Sequence, residues 1–168
     1  MPLSSLKDLF VHQLRECYAA ENLLLIALPR FSGAIKNPES RAAFEDHAAS
    51  TKKHIARLNR IFECLRADTG KETCHGMTGL VKEGERIIAE EAGDAIQDAA
   101  LMAIAQRIAH YKISAYSSLR TFAEHLGDED FAWSLTETLE DAREADQLFA
   151  ELVDATIHLE TAGAADVR

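Results

Sequence analysis

The sequence predicts an all-α protein in which four long amphipathic helices form a bundle. The chain has 168 residues, of which 47% are hydrophobic, with only 3 prolines and 8 glycines, and this composition favours helix over sheet. In four segments the apolar residues recur at alternating spacings of three and four, which is the period of one helix face. Helix start and stop signals separate these segments.

The boundaries of the four helices follow from local signals. Ser5 with Asp8 forms a capping box at the first start, and Asn37-Pro38 places proline in the first turn of the second helix. Gly127 is a typical residue for ending the third. The predicted long helices cover about residues 5–32, 38–67, 94–126 and 129–159, followed by a frayed tail over 161–168.

A long connection separates the second helix from the third. Residues 68–79 are expected to be irregular, whereas apolar residues at Leu80, Val81, Ile87 and Ile88 predict a short extra helix over 80–92. Two hairpins joined by one long crossover form the ferritin-like arrangement of a four-helix bundle. We therefore predict a single ferritin-like domain over residues 1–168.

Charge and composition exclude several classes of partner. The net charge of −10 disfavours nucleic acid and anionic membrane surfaces, which both select basic patches. No stretch approaches the ~20 apolar residues that span a bilayer, and the first residues do not resemble a secretory signal. The three cysteines lack a CxxC spacing and fit reduced thiols. We expect a cytoplasmic protein.

One carboxylate lies in the apolar stripe of the first helix. Glu21 falls in the middle of the following stripe: Phe10, Leu14, Cys17, Glu21, Leu24 and Leu28. An ionised carboxylate buried without compensation costs several kcal/mol. Glu21 therefore requires a cation, a metal ion or a raised pKa.

Other polar side chains fall on inner faces at a similar height. His47 and His54 lie on the inner face of the second helix, and Asp146 lies on that of the fourth. Such residues are either a hydrogen-bonded core group, the commoner case for a histidine, or part of a metal site. His110 falls on a polar face and is not expected to point inward. The acidic cluster Glu137, Glu140, Asp141 and Glu144 is expected largely on a solvated outer face.

The third long helix carries apolar residues around an unusually wide arc. One stripe includes Leu101, Ile104 and Ile108, and a second includes Met102 and Ala105. A helix with so wide an apolar arc is central in the fold or is also buried in an oligomer interface. This helix and the crossover are therefore candidate positions for a dimer interface.

Several short segments, spread from about Leu6 to Ile157, resemble the YciF-like family of bacterial ferritin-like proteins. The matching segments are Leu9-Phe10, Tyr18-Ala19-Ala20-Glu21, Phe44-Glu45-Asp46-His47, Arg57-Leu58, Asp98-Ala99-Ala100-Leu101, His110-Tyr111, Leu126-Gly127 and Glu137-Thr138-Leu139. The resemblance implies a ferritin-like bundle, a homodimer, an association with bacterial stress responses and no established reaction.

Proteins of this fold often hold a dinuclear iron or manganese site, built from one carboxylate on each long helix with neighbouring ligands. The resemblance implies that Glu21 matches one of those carboxylates, whereas Ser50, Ala109 and Ala142 occupy the positions of the other three. Bridging carboxylates neutralise the four positive charges of two divalent ions. A dinuclear oxidase or catalase site is therefore not expected.

A single-ion site is still compatible with the residues that remain. Asp146 matches an acidic position, and His54 occupies a position where some relatives have histidine. Glu21, His54 and Asp146 are the candidate ligands for one iron, manganese or zinc ion, because imidazole with carboxylates suits these metals. No catalytic residue and no binding site for an organic cofactor is predicted.

Three functions remain open at this point. The first is a stress-associated ferritin-like protein with a degenerate dinuclear metal site and no catalytic activity. The alternative is a metal-dependent redox protein that performs peroxide or oxygen chemistry at a mononuclear or rearranged site in the bundle core. The third is metal storage, which requires a cage-forming oligomer. Metal content separates the first two, and oligomer size tests the third.

Overall fold

The computed structural model describes the backbone of residues 3–165 and the side chains up to Thr161, except that of Leu159. It contains helices α1 (Leu6–Ala34), α2 (Pro38–Leu65), α3 (His75–Ala89), α4 (Asp94–Leu126) and α5 (Glu129–Ala165). The sequential neighbours α1 and α2 pack as one hairpin, α4 and α5 pack as the other, and α3 lies in the crossover. The prediction of two helical hairpins is confirmed.

The predicted caps begin and end the helices as expected. The backbone N–H of Asp8 donates to Ser5 Oγ at 3.1 Å, and those of Glu39 and Ser40 donate to Asn37 Oδ1. Gly127 ends α4 with a φ of +77°, the left-handed conformation that glycine adopts at little cost. Local interactions therefore fix the start of α1, the start of α2 and the end of α4.

The crossover helix begins earlier than predicted, because α3 starts at His75 and not near Leu80. Cys74 is the cap that sequence inspection missed: its Sγ accepts from the backbone N–H of Met77 at 3.4 Å and lies 3.0 Å from the hydroxyl of Tyr111. A side chain at Gly76 would place its Cβ 2.7 Å from the Tyr111 ring. The segment 75–79, which was predicted to be irregular, is therefore the first part of the helix.

The last helix is also longer than predicted. It continues to Ala165, so the tail expected to fray from Thr161 is helical over most of its length, and residues 166–168 lie outside the described part. The first helix passes through Pro29 and ends at Ala34. Among the described residues, no helix is both long enough and apolar enough to cross a membrane.

The wide apolar arc of α4 is explained by its central position. Its faces pack against α1, α3 and α5, and the crossover residues Met77 and Val81 join the same buried cluster as Met102 and Ala105. The second apolar stripe therefore packs inside the chain, and the width of the arc no longer requires an oligomer interface.

A buried carboxylate joins the two hairpins at one end of the bundle. Asp98 on α4 is 2% exposed and accepts from the backbone N–H groups of Lys36, at 2.9 Å, and Asn37, at 2.7 Å. These donors lie in the turn between α1 and α2. Asp98 therefore pairs two backbone N–H groups of the partly buried turn, which lie outside the helices.

Replacing this carboxylate should destabilise the fold. In an Asp98→Ala variant both N–H groups of the turn lose a charged acceptor, and we expect the free energy of unfolding to fall by about 2–4 kcal/mol. Urea denaturation measures the change. Asp154→Ala, an exposed site on α5, is the control and should change stability by less than about 0.5 kcal/mol. Equal effects in both variants would contradict the assignment.

Candidate functional site

A polar layer divides the apolar interior of the bundle at mid-height. Cys17 belongs to one buried apolar cluster and Leu24 to the other, and Glu21 lies between them on α1. On α4, Lys112 separates Ile108 from Tyr116 in the same way. The layer is thus built by inward-facing polar residues at equivalent heights on neighbouring helices.

The centre of the layer is the ammonium group of Lys112. Its Nζ lies 3.0 Å from Glu21 Oε1 and 3.1 Å from Glu21 Oε2, and 2.9 Å from His54 Nδ1. All three side chains are almost completely buried, with exposed fractions of 1–2%. Lys112 is therefore a buried cation that contacts both oxygens of the inward carboxylate.

A tyrosine completes the surroundings of Glu21. The Tyr116 hydroxyl donates to Glu21 Oε1 at 2.9 Å. Burial, with the nearby Glu21 charge, raises the pKa of Tyr116 well above its ordinary value, so the hydroxyl keeps its proton. Burial by itself would raise the pKa of Glu21, but the contacts with Lys112 and His54 together outweigh it and lower that pKa to about 2.

The network continues from His54 to the edge of the bundle. His54 Nε2 lies 3.1 Å from Asp141 Oδ2, and the same oxygen accepts from Arg57 Nη1 at 2.6 Å. Because Lys112 donates to Nδ1, the imidazole proton belongs on Nε2, from which it is donated to Asp141. Burial raises the pKa of Asp141, but its bonds with Arg57 and His54 outweigh this and lower the pKa.

Each cation of the network is paired with a carboxylate. Lys112 contacts Glu21, and Arg57 contacts both Asp141 and, at 3.5 Å, Glu137. His54 connects the two pairs through opposite ring nitrogens. Buried charges persist in proteins when they are paired and hydrogen-bonded. The buried carboxylate of the layer is thus paired with a buried protein cation.

The structure brings two of the three predicted metal ligands together. Glu21 and His54 lie 3.4 Å apart, from Oε1 to Nδ1. Asp146 lies elsewhere: its Oδ1 is 2.9 Å from Nδ1 of His110, and among the described contacts it touches neither Glu21 nor His54. His110 is largely exposed, as predicted from its position on the polar face of α4. The acidic position of Asp146 therefore does not converge on the other two.

Lys112, Arg57 and Asp141 belong to the network but were not predicted as site residues. Lys112 follows Ile108 by four residues and precedes Tyr116 by four, so it lies on an apolar stripe of α4 as Glu21 does on α1; that spacing was the available signal. Asp141 was assigned to a solvated face, but it is only 31% exposed and contacts His54 and Arg57. Asp141 lies where α5 meets α2, and it does not fall on the apolar stripe of α5, so the sequence pattern did not indicate that it is partly buried.

The donor set does not fit a metal ion as it stands. The ammonium of Lys112 occupies the space next to Glu21 and His54 that a metal would need, and a cation bound there would meet its positive charge directly. Among the described side chains, no group of three or more His, Cys, Asp and Glu residues is arranged to hold a metal. No chemical step through a metal follows from this arrangement.

His47 borders the layer but does not join the network. It is 6% exposed, its ring lies 5.7 Å from that of Phe149, and neither ring nitrogen has a hydrogen-bond partner in the described structure. Burial, helped by the Lys112 charge, lowers its pKa from 6.5 to about 3. His47 is therefore a neutral buried imidazole that faces the gap between α2 and α5.

Comparison with known sequences assigns a family to this chain. Residues 5–162 match a family described as a domain of unknown function, DUF892. The protein YciF of Escherichia coli K12 is 33% identical over 153 residues, which cover 90% of this chain and 92% of YciF. The resemblance to the YciF-like family is confirmed.

Comparison with solved structures supports the same assignment. The Escherichia coli stress protein YciF superposes with a TM-score of 0.89 at 32% identity, over 92% of this chain and 98% of that one. YcfI of Rhodopseudomonas palustris gives a TM-score of 0.85 at 32% identity, over 88% and 94%. A ferritin-like, diiron-carboxylate protein of Bacillus anthracis shares the fold alone, with a TM-score of 0.68 at 14% identity over 88% and 96%. The predicted ferritin-like fold is confirmed.

Removing the cation should destabilise the bundle, and removing both charges should recover much of the loss. Lys112→Met leaves the Glu21 carboxylate buried and unpaired, and we expect a loss of about 3–5 kcal/mol in the free energy of unfolding. In Lys112→Met/Glu21→Gln the amide oxygen introduced at position 21 still accepts from Tyr116 without a charge, so at least half of the lost free energy of unfolding should return.

Urea denaturation measures both variants. Lys82→Met, at an exposed lysine of α3, is the control, and a loss no larger than in that control would contradict the buried pair.

The neutral state of His47 predicts a pH dependence of stability. Its pKa is 6.5 in an ordinary setting and about 3 in the fold, so the unfolded chain binds a proton that the folded protein does not when the pH falls below 6.5. The free energy of unfolding therefore decreases as the pH is lowered from 6.5 towards 3. His47→Phe should reduce the slope between about pH 6 and 4 by up to about 1.4 kcal/mol per pH unit, measured by urea denaturation. His158→Phe, at an exposed histidine, should leave the slope unchanged, and an unaltered slope in His47→Phe would show that this imidazole titrates normally.

Proposed function

The chain belongs to the DUF892 family, and from that premise we propose that it is a stress-associated ferritin-like protein with a degenerate metal site and no catalytic activity. The stress association comes from the relative, since YciF of Escherichia coli is called a stress protein and is 33% identical to this chain. The absence of catalysis is proposed from the chemistry of the bundle interior.

One observation carries the second part of the proposal. Lys112 Nζ lies within 3.1 Å of both Glu21 oxygens and 2.9 Å from His54 Nδ1. Glu21 and His54 are the two residues of the chain best suited to bind a metal at this height. The lysine uses the lone pairs that a metal would need, so it acts as a fixed internal counterion.

The alternative is a metal-dependent redox protein, in which Glu21 and His54 hold one iron, manganese or zinc ion. That function requires the Lys112 side chain to leave both ligands. An ammonium removed from its carboxylate loses a charge-assisted hydrogen bond inside a medium of low polarity. A third ligand is also needed, and Asp146 lies beside His110, where it contacts neither Glu21 nor His54 among the described residues. The internal counterion is therefore the better-supported reading.

Metal loading of the purified protein tests the choice. The protein is incubated anaerobically with Fe(II), Mn(II) or Zn(II), desalted, and analysed for metal per chain. We expect no stoichiometric metal in the natural protein and none in Glu21→Ala. Lys112→Glu replaces the cation by a carboxylate next to Glu21 and His54, and we expect that variant to retain a divalent ion, since carboxylates with imidazole suit these metals.

The contrary result is equally clear. One or more ions per chain in the natural protein, lost in Glu21→Ala, would favour the redox function and reject the internal counterion. A Glu124→Ala variant, at an exposed acidic site on α4, controls for adventitious binding to the acidic surface. Metal retained equally in that variant and in Glu21→Ala would be surface-bound.

The proposal also includes a homodimer in the cytoplasm that contacts neither nucleic acid nor membrane. The net charge of −10 supports the exclusion of anionic partners. Light scattering after size-exclusion chromatography measures the mass against the 18.5 kDa chain. A mass of two chains supports the dimer, whereas a mass of a dozen or more chains would favour a storage cage.

A further inference from the structure

A pocket opens between α2 and α5 beside the polar layer. Its volume is about 170 Å³. Its walls include the small side chains of Ala43, Ser50, Ala142 and Ala145, and it exists because these four positions on the two facing helices carry so little volume. His54 and Lys112 lie among the residues that line it.

The lining combines apolar contact surface with one side chain, His47, whose hydrogen-bonding atoms lack protein partners in the described part of the chain. Phe149 and Leu148 contribute apolar surface, and His47 also lines the pocket. Both nitrogens of His47 are buried without a hydrogen-bond partner, and a neutral imidazole offers one donor and one acceptor. Buried polar atoms are rarely left unsatisfied, so His47 is the lining residue whose hydrogen-bonding capacity is unused.

Charge around the pocket selects against ionic ligands. Asp46 and Glu144 are exposed and line it together with Asp141, so an anion approaching the entrance meets like charge. The ammonium of Lys112 also lines it but is already paired with Glu21, so an ionic ligand finds no unpaired counter-charge at the buried inner end. A neutral molecule avoids both penalties.

Size limits the ligand further. An apolar cavity of about 150 Å³ in another protein accommodates benzene, so this pocket holds a single six-membered ring with one substituent. From the pocket between α2 and α5, with unpartnered His47 at its wall, we infer that the protein has a binding site for a neutral ring compound with one hydroxyl or amide group. The hydrogen bond goes to His47, and the ring contacts Phe149 and the alanines.

Phenol is the probe that tests this site. It is titrated into the uniformly 15N-labelled protein and followed through the amide signals. We expect saturable shifts around His47, Ala145 and Phe149, with a dissociation constant on the order of 0.1–1 mM for so small a ligand. Benzoate and benzylamine have a similar size but carry opposite charges, and both should bind at least about tenfold more weakly, which corresponds to 1.4 kcal/mol.

Two variants and one control locate the binding. Ala145→Leu fills the pocket without touching the charged network and should abolish the saturable shifts. His47→Phe keeps the ring but removes both nitrogens, and it should weaken phenol about tenfold. Ala155→Leu makes the same substitution as the first variant at an exposed position of α5 and should leave the affinity unchanged. Dispersed amide spectra confirm that each variant is folded.

Three results would overturn the inference. The first is the absence of saturable shifts with phenol, which would mean that water alone satisfies His47. The second is binding that persists unchanged in Ala145→Leu. The third is benzoate binding as tightly as phenol, which would make the pocket an anion site. None of these results depends on whether the protein binds metal, so the pocket and the proposed function are tested separately.

Discussion

The contact between Lys112 and Glu21 is the constraint on which the interior of this bundle depends. Four long helices bring their inner faces together at mid-height, and there the apolar core is interrupted by a buried carboxylate. A carboxylate in that position needs a positive charge. In this chain the positive charge is supplied by a side chain of the opposite hairpin. Glu21 therefore gains its counter-charge only when the two hairpins dock.

Fold and site are specified by different parts of the sequence. The superposition on YciF and on a diiron-carboxylate protein of 14% identity follows from helix lengths, caps and apolar periodicity, which many sequences satisfy. The chemistry of the interior depends on a few residues, among them Lys112 and His54. A ferritin-like fold therefore does not by itself imply a metal centre.

Sequence reasoning predicted the elements with strong local signals and the need of Glu21 for a partner. Ser5, Asn37 and Gly127 act through neighbouring backbone atoms, so their roles are readable from spacing. The identity of the partner was not readable, because Lys112 is 91 residues away and its contact depends on how the hairpins are aligned. Asp146 shows the converse: its spacing places it on an inner stripe, yet in the fold its carboxylate lies beside His110.

The turn held by Asp98 has a kinetic consequence. Its acceptor and donors are 61 and 62 residues apart, whereas each hairpin is assembled from neighbours in the chain. Local contacts form early in folding and distant ones late. We therefore expect the hydrogen bonds of Asp98 to form late, when the two hairpins dock, and to affect the unfolding rate more than the folding rate.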